Sequence, residues 1–325
     1  MRCQSALLDT GAGQALAGQR VLLTGASGFL GWQVARQGLA AGVEVHCLGR
    51  SPGPQGARHH AADLTDRAGV AVAVEAIAPQ AVIHCAAPGV AYGAVSLAEM
   101  LAVAALGTEA LLDACTQMAE RPKVVLVGSG FEYAPAAQPV SEDWPIVPAG
   151  SLYGAAKAAA SCVTGAFAER LAMVLLRPFH IYGAGEAARR LGPFIIAQAR
   201  AGQTVELTSC EQQRDFLHVD DCAAMLWAAL TGLDPAPGLV INNLGSGQPI
   251  TLRQFVEPLV SELGVRGVTA DCRIGALPYR AAEPMVSLPD LTQWQKRGLR
   301  GARVTLADLD AYLTGATALG LPFAA

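Results

Sequence analysis

The chain has 325 residues, 52% of them apolar and only 15% charged, with a formal net charge of −4. That is enough apolar sequence for one large or two modest domains, and the slight negative balance excludes a basic nucleic-acid footprint and a polybasic membrane patch. Eight cysteines (Cys3, Cys47, Cys85, Cys115, Cys162, Cys210, Cys222, Cys272) form no Cys-x-x-Cys pair and mostly lie in apolar runs. They read as buried hydrophobes of a reducing compartment, with neither a metal site nor a disulfide framework.

Met1 to Gly18 holds one Arg and no sustained apolar core, so it is expected to be a loosely held tail and not a secretory signal. No apolar run reaches membrane-span length, and a soluble cytoplasmic protein is expected. Arg20 to Thr24 has the pattern of a short buried strand, and it leads into Gly25-Ala26-Ser27-Gly28-Phe29-Leu30-Gly31 and a helix from Trp32 to Ala41. In a strand-turn-helix setting such glycines permit a tight turn and close backbone approach, so that the helix N-terminus can hold a pyrophosphate. A second strand, Val43 to Leu48, runs into Gly49-Arg50-Ser51. A carboxylate there would bind both ribose hydroxyls and repel a 2′-phosphate; Arg50 instead favours NADP(H), with a solvated loop arginine as the alternative.

Asp63-Leu64 follows a third short strand, where Asp63 could meet the adenine edge, and Asp66 to Ala78 is helical. Ala81 to Ala86 is a further buried strand, ending in Cys85-Ala86-Ala87-Pro88-Gly89, whose small residues let a cofactor lie against backbone. Within it His84 reads as a satisfied core histidine. A long helix from about Ser96 to Met118 precedes the strand Lys123 to Val127, and Ser129 falls at that strand's carboxyl end, where open α/β sheets place ligands.

Ser151-Leu152-Tyr153-Gly154-Ala155-Ala156-Lys157 heads an Ala-rich helix, with Ser151 as its N-cap. Residues i and i+4 share a helix face, so the Lys157 ammonium sits beside the Tyr153 phenol. A free tyrosine loses its proton near pH ~10, and a fixed cation pulls that value toward neutrality, which makes an acid for a carbinol oxygen. Alone, the pair also fits a solvated helix face. Beyond it lie a strand at Val174 to Pro178, a helix at Gly192 to Ala201, a strand at Thr204 to Leu207 and a helix at Asp221 to Thr231. A strand at Leu239 to Leu244, a helix at Leu252 to Leu263 and an amphipathic helix at about Arg303 to Leu313 complete the chain. Arg214 and Arg280 each offer a planar guanidinium suited to bidentate phosphate binding; for Arg280 a surface ion pair with Glu283 is the alternative.

Taken together, Gly25-x-x-Gly28-x-x-Gly31, Asp63-Leu64, Ser129 with Tyr133, Tyr153-x-x-x-Lys157, Leu176-Arg177-Pro178 to Tyr182-Gly183, and Arg214-Asp215-Phe216-Leu217-His218-Val219-Asp220-Asp221 resemble the extended short-chain dehydrogenase/reductase family in order and spacing. This branch is also called the NAD-dependent epimerase/dehydratases, and the resemblance spans about Gln19 to Tyr312. It implies an α/β protein: a Rossmann-type doubly wound parallel sheet at 19–180 and about 215–245, with a smaller mixed α/β substrate domain at about 181–214 and 246–325. It implies Ser129, Tyr153 and Lys157 as the catalytic set, with Ser129 on the reacting oxygen and Lys157 also on the nicotinamide ribose. The implied cofactor residues are Gly25, Ser27, Gly28, Phe29, Leu30, Gly31, Arg50, Asp63, Leu64, Cys85, Ala86, Ala87, Tyr153, Lys157, Pro178 and His180. Those for substrate are Ser129, Phe131, His180, Arg214 and Arg280, the two arginines clamping a diphosphate.

The departures are informative. Dehydratases of the family carry a Thr-Asp-Glu type triplet where this chain has Ser129, Gly130 and Phe131, so sugar dehydration is not expected, and Glu132 is expected to be a structural or substrate-orienting group. Ala104 replaces an asparagine of the central helix, and His180 replaces another ahead of the Tyr-Gly pair. The expectation is an NADPH-dependent ketoreductase of a nucleotide-linked keto sugar, a 4-keto-6-deoxyhexose, acting as a homodimer, with NAD as the alternative cofactor. The rival readings are an epimerase that retains NAD and a non-catalytic NADP-binding module.

Overall fold

Strands such as Arg20–Thr24 and Lys123–Val127 are apolar at nearly every internal position, which is what a sheet covered on both faces requires. The computed structural model, which describes residues 15–87, 95–148, 150–281 and 283–296, uses them in that way. The chain runs β1 (Arg20–Thr24), α1 (Phe29–Ala40), β2 (Glu44–Gly49), β3 (Arg58–Ala61), α2 (Arg67–Ile77) and β4 (Ala81–His84). Next come α3 (Leu97–Leu101), a π-helical turn (Ala102–Leu106) and α4 (Gly107–Thr116), then β5 (Lys123–Val127), a 3₁₀ turn (Gly130–Glu132), α5 (Leu152–Gly165) and β6 (Ala172–Pro178).

These strands, with β10 (Gly238–Leu244), form one seven-stranded sheet in the order β3-β2-β1-β4-β5-β6-β10, all neighbours parallel. Alternate residues supply two cores. Val21, Leu23, Val45 and Ile83 join the core that includes Trp227 of α7 (Val219–Thr231), while Leu22, Leu48, Val82 and Leu126 face the other way toward Leu111 and Leu112 of α4. The strand order reverses between β1 and β4, so their carboxyl ends open a crevice at the topological switch point.

The remaining elements are β7 (His180–Tyr182), α6 (Leu191–Arg200), β8 (Val205–Leu207), β9 (Gln213–His218), β11 (Pro249–Thr251), α8 (Leu252–Val265), β12 (Cys272–Ile274), β13 (Val286–Ser287) and α9 (Thr292–Lys296). β9 is flanked by antiparallel β11 and parallel β13 and also pairs with β7; β8 pairs with β12. Their core includes Phe216 and Phe255, stacked with centroids 4.3 Å apart. This is a Rossmann-like α/β fold with a smaller mixed sheet, as the resemblance implied.

Three details differ from the sequence reading. Gln213–His218, given no element of its own in the sequence, is the central strand of the second sheet. Leu16, inside the stretch expected to be a tail, is buried in the main core. Cys162 is exposed, unlike Cys47, Cys115, Cys210 and Cys222. The amphipathic helix expected at 303–313 lies outside the described residues. Among the described residues no helix is long and apolar enough to cross a membrane.

Candidate active site

The glycine turn after β1 is shaped by contact with the end of β4. Gly25 has φ +73°, and a Cβ there would lie 2.7 Å from the Ala86 amide nitrogen; a Cβ on Gly31 would collide with the Gly25 carbonyl. Neither position admits another residue without displacing backbone. Gly28 is the N-cap of α1, and the helix start has no side-chain cap and no acidic residue in its first turn. By contrast Asp66, Ser96 and Ser151 cap α2, α3 and α5 through their side chains. The unsatisfied N–H groups at Phe29, Leu30 and Gly31 fit the pyrophosphate of a dinucleotide.

Other expected cofactor residues surround this turn. Ser27 is exposed and Phe29 and Leu30 are half-buried. Arg50 is exposed at the end of β2 and acts electrostatically on Asp63, whose carboxylate accepts from the Thr65 amide at 2.9 Å and hydroxyl at 2.8 Å. Leu64 and Pro178 are buried, while Cys85, Ala86 and Ala87 are half-buried at the end of β4.

His84, between the turn and the long helix, has both ring nitrogens occupied. Nδ1 lies 2.7 Å from the Thr24 hydroxyl and Nε2 lies 3.0 Å from that of Thr108. Because the Thr108 hydroxyl donates to the Ala104 carbonyl, Nε2 must carry the proton, and Thr24 donates to Nδ1 while accepting from the Ala86 amide. Burial, aided by the Lys157 charge, pushes the imidazole down to about 3. His84 is thus a satisfied core histidine, as expected.

Ser151 caps α5 by accepting from the Gly154 amide at 2.9 Å, which places Tyr153 in the first turn and Lys157 in the second. The Ser129 hydroxyl at the end of β5 is near enough to the Tyr153 phenol to act on its protonation. One expectation is corrected. The phenol does not move toward neutrality: burial, then the Glu132 carboxylate, raise it to about 12, with Arg190 and the Ser129 hydroxyl acting against them. The physical reason lies in where the cation goes, because Lys157 donates to the Val127 carbonyl at 2.6 Å. Burial holds the Lys157 ammonium below its ordinary range, opposed by Glu132 and Cys85. Behind it is a void of about 10 Å³, lined by His84, Ala104, Thr108, Val127, Ser161 and Thr164 among others; that is room for about one water molecule where the family's asparagine would stand.

On the other side of the phenol an aromatic wall forms. The Phe131 ring stands edge-on to Tyr153 at 6.3 Å and to His180 at 6.0 Å, and His180 Nε2 lies 3.0 Å from the Ser287 hydroxyl. Arg214 is buried and meets Glu283 at 3.3 Å, while Arg280 is exposed. Glu283 therefore pairs with Arg214, and the alternative of an Arg280–Glu283 surface pair is not what forms. Two polar neighbours of the site were not singled out in the sequence. Arg190, bonded to Glu186 at 2.9 Å, acts on both Tyr153 and His180, and no local pattern marks it. Ser161, eight residues after Tyr153, could have been found from helix periodicity.

The arrangement can orient a carbonyl between a hydroxyl and a phenol and hold a proton beside it, next to a turn fit for a dinucleotide. The profile of the NAD dependent epimerase/dehydratase family matches residues 21–245. A dTDP-6-deoxy-L-talose 4-dehydrogenase (NAD(P)(+)) of Kitasatospora kifunensis is 32% identical over 76% of this chain and 80% of its own length. A dTDP-4-dehydro-6-deoxy-D-allose reductase of Streptomyces bikiniensis is 28% identical over 76% of this chain and 82% of its own. Among solved structures, MoeE5 in complex with UDP-glucose and NAD is similar with a TM-score of 0.77 and 29% identity, covering 92% of this chain and 98% of that one.

Proposed function

Because the chain belongs to the NAD-dependent epimerase/dehydratase family, we propose that it reduces a nucleotide-linked keto sugar with NADPH, the sugar being a 4-keto-6-deoxyhexose. The observation that carries this reading is the placement of the Tyr153 phenol near Ser129 at the end of β5, on the helix that also bears Lys157. Two relatives named for reactions at position 4 of a deoxysugar support the substrate class. Glu132 is wholly buried in an ion pair with Arg177, so this carboxylate is not free to serve as an acid-base group for dehydration.

The cofactor would be held by the turn Gly25 to Gly31, with Arg50 at the adenosine ribose, Asp63 and Leu64 at the adenine, and Cys85, Ala86, Ala87, Pro178 and His180 along its length. A bound nicotinamide supplies the hydride for the keto carbon. The chain's own residues do the rest: Ser129 orients the keto oxygen, Tyr153 gives it a proton, and Lys157 fixes positive charge behind the phenol. With its phenol at about 12, Tyr153 is a donor in its resting state, which suits the reductive direction. Phe131 and His180 wall the sugar, and Arg214 and Arg280 hold the diphosphate. We retain the division into a dinucleotide-binding unit and a substrate-binding unit. Homodimerisation through the long helix and α5 is also proposed, supported by the exposed Leu97, Leu106 and Leu152.

The test is Tyr153→Phe. It should remove most turnover of a dTDP-4-keto-6-deoxyhexose while leaving NADPH affinity nearly unchanged; retained turnover rejects the assignment. An NAD-retaining epimerase is the second reading, supported by the similarity to a structure holding UDP-glucose and NAD. It predicts purified protein with tightly held NAD that interconverts sugars without net change in nicotinamide absorbance. A non-catalytic module would bind NADP(H), raise its melting temperature by linkage and reduce nothing.

A further inference from the structure

The Glu132 carboxylate has no exposed surface, and both of its oxygens are engaged. Oε1 accepts the Ser129 backbone N–H at 2.7 Å. Oε2 accepts the Ser161 hydroxyl at 2.7 Å and Arg177 Nε at 2.9 Å. Arg177 also donates to the Tyr133 hydroxyl at 2.9 Å, and that hydroxyl donates to Asn243 Oδ1 at 2.7 Å. The network therefore spans α5, the turn after β5, β6 and β10.

Position on the helix gives the network its meaning. Tyr153, Lys157 and Ser161 follow one another at intervals of four, so all three lie on one face of α5. The carboxylate joins that face to the backbone of Ser129, whose hydroxyl acts on the phenol. A buried ion pair is a poor source of stability, because desolvation offsets its attraction. Geometry is what such a pair supplies here.

We propose that Glu132 is a positioning residue: held by Arg177, it ties the Ser129 turn to the Tyr153 face of α5 and so sets the spacing of the two groups that receive the keto oxygen. This rests on the reductase reading above. The same carboxylate acts on both partners of that face. After burial it is the next influence raising the Tyr153 phenol, and it supports the Lys157 ammonium against its own burial.

The test uses the full chain with NADPH and a dTDP-4-keto-6-deoxyhexose as probe. Ser161→Ala removes only the link to α5 and leaves the pair with Arg177. It should lower kcat by about tenfold with KM within about twofold, since a small misplacement of reacting groups acts on the chemical step. Amide hydrogen exchange across Gly128 to Phe131 should quicken, and Ser161→Thr should restore both. Glu132→Gln should in addition move the pH limb of kcat assigned to Tyr153 to lower pH, because the anion that raised the phenol is gone. A purely structural role predicts a lower melting temperature with kcat, the pH limb and the exchange rate as in the parent, and that result for Ser161→Ala overturns the proposal. The exchange measurement needs no turnover, so it decides the tether even if Tyr153→Phe shows that the reductase reading has failed.

Discussion

Lys157 gives its ammonium to the Val127 carbonyl oxygen, 2.6 Å away, so the cation expected to serve the phenol also fastens α5 to the carboxyl end of β5. Its removal should therefore act on two observables at once. Lys157→Met leaves the Val127 carbonyl without its donor, which costs roughly 1–3 kcal/mol. Chemical denaturation should show that loss, and turnover should fall with it. Tyr153→Phe, which breaks no such backbone link, should show the kinetic loss with little change in stability.

Arg50 stands exposed at the end of β2, where a carboxylate would select against a 2′-phosphate. Arg50→Glu should weaken NADPH binding by about tenfold or more, equivalent to roughly 1.5 kcal/mol for a charge-assisted hydrogen bond, and leave NADH binding unchanged or improved. Titration of both nucleotides by nicotinamide fluorescence gives the ratio. An unchanged ratio would make Arg50 a solvated loop arginine and remove the ground for preferring NADP.

The buried His84 predicts how stability follows pH. Its imidazole takes a proton only near pH 3 in the folded chain, whereas an unfolded histidine does so near ~6.5. Between those values the unfolded state binds more protons, so stability rises with pH and is lost as pH falls from about 6.5 toward 3, by up to roughly 1.4 kcal/mol per pH unit. Burial also depresses His46 and His180, and both add to the same slope. His84→Gln should flatten the difference between denaturation midpoints at about pH 5 and about pH 7.5. A parent chain whose midpoint does not change over that range contradicts the buried, neutral assignment.

Much of the site could be read from residues close together in the chain. Gly25, Gly28 and Gly31 belong to one turn, Ser151, Tyr153 and Lys157 to one helix start, and His84 to one apolar strand. Their geometry follows from periodicity and φ limits that operate over a few residues. The departures at Ala104 and Phe131 could be recognised for the same reason, since each sits at a fixed offset within an element.

The sequence by itself determined the parallel sheet, the glycine turn and the shared face of Tyr153 and Lys157, because local backbone geometry decides them. Only the tertiary structure decided which charges meet. Glu132 reaches Arg177 across 45 residues and Glu283 reaches Arg214 across 69, while Gln213–His218 becomes a strand because β7, β11 and β13 come to flank it. The height of the Tyr153 phenol belongs to this second kind, for burial and an anion brought in by the fold outweigh a cation four residues away that is already spent on a backbone carbonyl.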